Sequence, residues 1–194
     1  MRFTPLLASA MALAILGCKP SVDDIYSALP ALGGPLPAFR YAELDGSVLT
    51  PETLRGKPAV VALWSTTCSA SRLALASLGA LEAEYAARGA RLIILADDRD
   101  SAAVASLLAR AGVRASVALG SGTLMDTFTH GQSVLPWRKA FALPTFFVLD
   151  AGGRIVYRQI GIERDARQQL GRIRARLDSL LPRPERAIAS ASAL

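Results

Sequence analysis

One cysteine of the chain has the surroundings of a reactive thiol. Cys68 follows an apolar run and precedes a helical pattern, and Ser71 lies three positions further along. The unpaired N–H groups of a helix's first turn and the helix macrodipole favour an anion, so a cysteine placed there is favoured as the nucleophilic thiolate. We therefore expect Cys68 to be a nucleophile and the Ser71 hydroxyl to donate a hydrogen bond to its thiolate.

The second cysteine, Cys18, ends an amino-terminal segment of another kind. Arg2 is followed by an uncharged, mostly apolar run from Pro5 to Gly17, which is shorter than the about 20 residues that a membrane-spanning helix needs. The run ends in Ile15-Leu16-Gly17-Cys18, which resembles the lipobox of bacterial lipoproteins. That resemblance implies cleavage before Cys18 and lipid attachment to its sulfur. An ordinary secretory signal and a retained short anchor are the alternatives.

The composition of the chain limits the kinds of metal site and the kinds of binding partner that we expect. The 194 residues contain two cysteines and one histidine, which excludes a four-cysteine zinc site or a histidine-rich metal site, and we predict neither a metal nor another cofactor. The net charge is +6, but no zinc-finger or RNP pattern accompanies the basic residues, so we expect no nucleic-acid partner. Those residues are dispersed apart from a carboxyl-terminal cluster at Arg164, Arg167, Arg172, Arg174, Arg176, Arg183 and Arg186.

The chain divides into a leader, a linker, one domain and a tail. We predict a signal peptide over residues 1–17, a lipid-anchored linker rich in proline and glycine over 18–37, a domain over 38–181 and a flexible tail over 182–194. Once the leader is removed, Cys68 is the only thiol besides the acylated Cys18, which excludes a structural disulfide. Acyl chains on Cys18 would hold the protein on the outer side of a membrane without a spanning helix.

Within the domain, helical and strand patterns alternate. Buried strands are predicted at 59–64 and 91–96, helices at 69–88 and 101–111, and a short edge strand at 113–119. Strands at 145–149 and 155–160 are joined by a tight turn and must be antiparallel, and a helix over 163–181 follows. Before these come a hairpin of 39–43 with 48–49 and a brief helix with Thr50 as N-cap. The order predicts an α/β fold with a mixed central sheet flanked by helices on both faces.

Two helices show an apolar stripe at helical spacing. On the helix that follows Cys68, the predicted stripe is Leu73, Ala76, Ala80, Leu81 and Tyr85. On the last helix, it is Ala166, Leu170, Ile173, Leu177 and Leu180.

Two motifs in this order resemble the TlpA/ResA type of thioredoxin-like redoxin. The first comprises Leu44-Asp45-Gly46, Gly56-Lys57-Pro58 and the strand that ends in Trp64-Ser65-Thr66-Thr67-Cys68; the second is the segment from Leu143 to Val156. The resemblance covers residues 36–181. It implies a thioredoxin fold with an amino-terminal hairpin and a cis peptide bond at Pro144. It also implies a partner-binding groove beside Cys68, formed by Trp64, Thr67, Leu143, Pro144 and Thr145.

Departures from the family pattern limit what the resemblance implies. Ser71 stands where the family has its second cysteine, Ala62 stands at the usual position of a buried acid, and Thr67 replaces a tryptophan. A second thiol normally releases the partner from the mixed disulfide, and serine cannot do this. We expect thiol–disulfide exchange by Cys68 with an external resolving thiol, from glutathione or from a protein partner.

Other functions remain open from the sequence. The scaffold can serve as a redox-silent binding or chaperone module that uses the same groove. A single-cysteine peroxidase is a third reading, although Ser65 replaces the threonine and Val61 the proline of a peroxidase pocket. Copper delivery of the Sco type is disfavoured because only Cys68 and His130 are available as donors.

Three smaller signals receive structural interpretations. His130 is predicted to be a loop residue. Asp97, Asp98 and Asp100 follow a strand and are predicted to form a solvated turn and a helix cap rather than a magnesium site. Trp137 is expected to pack in the core; the alternative is that Trp137-Arg138-Lys139 flanks the groove and supplies an aromatic contact and positive charge for a peptide or glutathione.

Overall fold

A mixed five-stranded sheet forms the centre of the protein. The computed structural model describes residues 27–129, 142–162 and 170–182. Its strands are β3 (Ala59–Trp64), β4 (Arg91–Ala96), β5 (Ser116–Leu119), β6 (Thr145–Leu149) and β7 (Ile155–Ile160). Their order in the sheet is β5-β4-β3-β6-β7. β4 and β5 run parallel to β3, β6 is antiparallel to β3, and β7 is antiparallel to β6. The predicted mixed α/β sheet is confirmed, including the antiparallel pair and the edge position of β5.

Four helices and a separate hairpin complete the described residues. The helices are α1 (Ser69–Ala86), α2 (Ser101–Arg110), α3 (Leu124–Thr129) and α4 (Gly171–Leu180). The hairpin pairs β1 (Tyr41–Ala42) with β2 (Val48–Leu49), as expected, and its turn contains Gly46 at φ +87°. No helix in the described ranges combines the length and apolar character needed to cross a membrane.

Alternate residues of the central strands enter two different cores, as the two-residue period of a strand requires. Val60, Ala62 and Trp64 of β3 pack with buried residues of α1, α2 and α4. Ala59, Val61 and Leu63 pack with α3 and with the segment before β3. Because β3 is buried on both sides, its end is a rigid platform for the residues that follow.

The stripe predicted for α1 is partly wrong. Leu73 is 71% exposed, and Ala76 and Ala80 are exposed as well. The buried face instead carries Ser71, Ala74, Leu75, Leu78, Leu81 and Tyr85. Both sets have helical spacing in this alanine- and leucine-rich helix, so only its rotation against the sheet separates them.

The predicted linker, the brief helix near Thr50 and the stretch that contains α3 also differ from the sequence-based expectations. Leu29 and Leu36 are buried in the second core, and Gly33 N–H donates to Ile155 C=O at 2.8 Å. The end of the predicted linker therefore packs against the sheet. Residues 52–54 form a 3-10 turn in which the Thr53 hydroxyl, not Thr50, makes the stabilising side-chain bond. Helix α3 lies in a stretch for which the sequence predicts no regular element.

The last helix is confirmed only in part. α4 spans Gly171–Leu180, and Leu170, Ile173 and Leu177 are buried as predicted. Its predicted beginning at residues 163–169, which includes Ala166, lies outside the described residues.

Candidate active site

Cys68 is the N-cap residue of α1, immediately beyond the loop that leaves β3. Its φ of −87° and ψ of 119° are extended, as expected of a residue that precedes a helix. The thiol is unpaired and half-buried. Cys68 Sγ–H donates to the Leu143 carbonyl across a distance of 3.3 Å, so the sulfur lies against the segment that enters β6.

The segment opposite Cys68 contains the predicted cis peptide bond, between Leu143 and Pro144. Because β6 pairs directly with β3, with Thr145 opposite Leu63, this segment lies beside the loop that carries Cys68. The Pro144 carbonyl accepts a 2.7 Å hydrogen bond from Gly161 N–H, which continues the pairing with β7. Leu143 is half-buried and Pro144 is buried.

Ser71 lies beneath the surface rather than at it. Its residue is fully buried, and its Oγ has no hydrogen-bond partner. The hydrogen bond expected from the Ser71 hydroxyl to the Cys68 sulfur is therefore not formed in this structure. Its role toward the thiolate stays a prediction.

Two residues predicted to contact a partner have interior side chains. Trp64 is fully buried and its indole N–H donates to the Ser71 carbonyl at 2.6 Å. Thr145 is 1% exposed, and its hydroxyl donates to Ala142 C=O. Neither side chain is therefore exposed at the predicted groove, and the roles of these two residues toward a partner stay predictions. Thr67 is exposed and Leu143 half-buried, so these two remain available to a partner.

The sequence analysis missed Asp98 as part of this site. It was expected in a solvated turn, but it is 9% exposed and accepts hydrogen bonds from the loop that precedes Cys68. Asp100 caps α2 as predicted, accepting from Ala103 N–H at 2.9 Å. Only the tertiary structure distinguishes Asp98 from Asp100. Because β4 runs parallel to β3 and ends beside it, Asp98 lies next to the loop that precedes Cys68.

The opposite end of α1 is held by charged groups. Arg88 donates to the Asp178 carboxylate of α4 at 2.6 Å, and Arg174 donates to Glu84 at 2.7 Å. Tyr85 OH also donates to Asp178. Burial, and secondly that bond to Asp178, raise the pKa of Tyr85 to about 12. The Arg88 hydrogen bond in turn lowers the pKa of Asp178.

Several predicted residues lie outside the described ranges. These are Cys18 with the rest of the leader, His130, and Trp137, Arg138 and Lys139. Their predicted roles as lipid attachment site, loop residue and core or groove residues stay predictions.

The fold and the site together define a thioredoxin-fold protein. A half-buried cysteine at the start of a helix faces the residue before a cis-proline, which leads into the inner strand β6 of a mixed sheet. In agreement with this geometry, the Redoxin family model matches residues 31–172. The chain belongs to the Redoxin family.

Individual relatives agree with this assignment. The chain is 26% identical over 131 residues to the thiol-disulfide oxidoreductase ResA of Bacillus thuringiensis, covering 67% of this chain and 70% of the relative. A thiol:disulfide interchange protein of the thioredoxin family from Chlorobium tepidum superposes with a TM-score of 0.60 at 22% identity, over 78% of this chain and 98% of that one. Another from Bacteroides sp. has a TM-score of 0.61 at 16% identity, over 84% and 97%.

Proposed function

We propose that this protein is a thiol–disulfide oxidoreductase that works through Cys68 alone. The observation that carries the proposal is the position of the thiol, at the first turn of α1 and 3.3 Å from the Leu143 carbonyl. The relation to ResA, which is named as a thiol-disulfide oxidoreductase, supports the same chemistry.

The exchange proceeds in two displacements. The Cys68 thiolate attacks one sulfur of a partner disulfide, which forms a mixed disulfide and expels the partner's other sulfur as a thiolate. An external thiolate then attacks the mixed disulfide and releases Cys68. If that thiolate is a third cysteine of the same partner, the net result is isomerisation; if two glutathione molecules take part in succession, the partner is reduced and glutathione oxidised.

An external thiol is required because Ser71 occupies the position of a resolving group. Its hydroxyl is fully buried three residues after Cys68, and an alcohol does not displace a thiolate from a disulfide. A protein disulfide or glutathione is thus the expected partner. The half-buried Leu143 backbone is suited to pairing with an extended segment of such a partner.

We further propose that the domain is held on the outer side of a membrane by acylated Cys18, as the lipobox-like sequence at 15–18 suggests. Expression of the full chain in a bacterium, with Cys18→Ala as the comparison, tests this part. A membrane-bound, lipid-modified wild type and an unmodified variant are expected. Equal partition of the two proteins would contradict the anchor.

The exchange itself is tested by capture of mixed disulfides. Full-length wild type, Cys68→Ala and Ser71→Ala are incubated with a disulfide-bonded peptide and analysed on non-reducing gels with mass spectrometry. Adducts are expected on wild type and on Ser71→Ala, and none on Cys68→Ala. Peptide that still binds Cys68→Ala, with no adduct on wild type, would replace the proposal with a redox-silent binding module.

A further inference from the structure

Asp98 is a buried carboxylate beneath the loop that carries Cys68. It lies two residues beyond β4, whose last residue, Ala96, pairs with Trp64 at the end of β3. Asp97 N–H donates to the Trp64 carbonyl at 2.8 Å and extends that pairing by one bond. The two chain segments therefore leave the sheet side by side, with Asp98 directed at the loop of residues 65–67.

The carboxylate of Asp98 accepts hydrogen bonds from two loop residues. Thr66 N–H donates to Oδ2 at 2.9 Å, and the Thr66 hydroxyl donates to Oδ1 at 2.5 Å. The Ser65 hydroxyl adds a longer contact of 3.4 Å to Oδ1. No cation pairs with Asp98 among the described residues, so these donors are what the structure shows compensating its buried charge.

The same loop is connected to Cys68 by its own backbone. Cys68 N–H donates to Ser65 C=O at 3.3 Å, and Thr67 N–H donates to Ser65 Oγ at 3.2 Å. Arg72, one turn into α1, donates to the Thr66 carbonyl at 2.7 Å. Thr66 is thus bonded both to Asp98 and, through its carbonyl, to Arg72 of α1.

We propose that Asp98 is a positioning residue for Cys68. By fixing Thr66, the Asp98 carboxylate holds the start of α1 so that the Cys68 thiol lies against the Leu143 carbonyl. A partner strand that pairs with the Leu143 backbone would then lie beside the thiol. This inference deepens the proposed function and rests on it. Asp98 contacts neither the thiol nor a partner, and acts entirely through the loop.

Two probes of Cys68 in the full-length protein separate positioning from a charge effect. Iodoacetamide reports access to the thiolate, whereas exchange with a disulfide-bonded peptide also requires alignment with Leu143. Both rates are measured against pH, and the high-pH plateaus are compared because the thiol is fully ionised there. In Asp98→Asn, we expect the iodoacetamide plateau to rise and the peptide plateau to fall, so that their ratio changes by about tenfold or more.

A matched control and a second pair of variants complete the experiment. Asp100→Asn removes the same charge two residues away but touches only the α2 cap, and its ratio is expected to match wild type. Thr66→Val removes the hydroxyl donor while keeping Asp98, whereas Thr66→Ser keeps that donor. The ratio of the iodoacetamide plateau to the peptide plateau is expected to change in Thr66→Val and to match wild type in Thr66→Ser. This pair of variants tests the inference even if Asp98→Asn fails to fold.

Other results would overturn the inference. If Asp98→Asn shifts the midpoints of both profiles and leaves both plateaus unchanged, Asp98 acts only through its charge. If both plateaus rise together, the variant loosens the whole site without a specific loss of alignment. A wild type that reacts with iodoacetamide but not with the peptide would refute the proposed function, while unchanged iodoacetamide plateaus in Asp98→Asn and Thr66→Val would separately refute the role of Asp98.

Discussion

The two ends of α1 are held by different means. At the Cys68 end, the contacts are buried or half-buried hydrogen bonds that join the helix start to β3, to the Asp98 carboxylate and to Leu143. At the far end, two ion pairs connect this part of the chain with α4, and their carboxylates, Glu84 and Asp178, are about half exposed. A part-buried hydrogen bond from Tyr85 OH to Asp178 adds to them. Solvent and salt screen the ion pairs, whereas the contacts at the Cys68 end depend mainly on hydrogen-bond geometry.

The difference between the two ends of α1 predicts which substitutions alter the reactivity of Cys68 and which alter only the stability of the fold. Changes at the Cys68 end are expected to alter thiol chemistry along with stability, because the bonds there orient the reactive atom. Changes at the Asp178 end are expected to alter stability alone, since α1 is a single rigid helix packed on the sheet by its buried face.

The largest change is expected from Ser71→Cys, which completes a pair of thiols at the Cys68 end. We expect a disulfide between Cys68 and the introduced thiol to form in air and peptide exchange to proceed without an external resolving thiol, because the introduced thiol would release the mixed disulfide itself. Thiol titration and mass spectrometry check the bond, and Ser71→Ala is the control of similar size. A variant that keeps two free thiols under oxidation would show that position 71 is too far from Cys68 or wrongly directed.

A smaller effect is expected from Trp64→Phe, which keeps an aromatic ring in the core but removes the hydrogen bond to the Ser71 carbonyl. Because the Ser71 carbonyl keeps its place in the hydrogen-bond ladder of α1, loss of the indole bond costs about 0.5–1.5 kcal/mol in the free energy of unfolding, measured by urea denaturation. Exchange with the disulfide-bonded peptide should also slow, because the first turn of α1 loses one of its supports.

Phe146→Leu is the control for that variant, since Phe146 packs in the same core without bonding to the start of α1. It is expected to lose stability by about 1–2 kcal/mol with an unchanged exchange rate. Equal slowing by both variants would mean that lost stability alone reduces the reactivity of Cys68.

The smallest effect is expected from Tyr85→Phe at the Asp178 end. At neutral pH, loss of the bond to Asp178 costs about 1 kcal/mol in unfolding free energy, without a change in the alkylation rate of Cys68. Because the pKa of Tyr85 is raised to about 12 from 10, the unfolded chain loses this proton first as pH rises. The stability associated with this shift is therefore complete below pH 10 and is lost progressively between pH 10 and 12.

Denaturation of wild type and Tyr85→Phe between pH 10 and 12 checks this loss of stability. Tyr85→Phe has no phenol to ionise and should not show the loss. Asp178→Asn keeps the phenol but removes the carboxylate, so it should retain the part of the effect that burial causes. A change in Cys68 alkylation in either variant would break the proposed separation between the two ends.

Local patterns in the sequence were sufficient for most of the fold. The apolar runs at 59–64 and 91–96 have the length and composition of strands buried on both faces, and both predicted strands have the observed bounds. The same patterns place Cys68 at a helix start. The sequence did not show which face of α1 packs against the sheet, because alanines and leucines lie on more than one of its faces. Only contact with the sheet selects among those faces.

The order of the elements, the single cysteine of the domain and the serine three residues after it could all be read from the sequence. These follow from residue identity and short-range periodicity. Tertiary structure decided which polar groups serve that thiol. Asp98 and Asp100 are two residues apart and alike in charge, yet the parallel pairing of β3 with β4 turns one beneath the Cys68 loop and leaves the other at the exposed cap of α2. Such contacts depend on strand order and register, which bring together residues that are more than 30 positions apart in the chain.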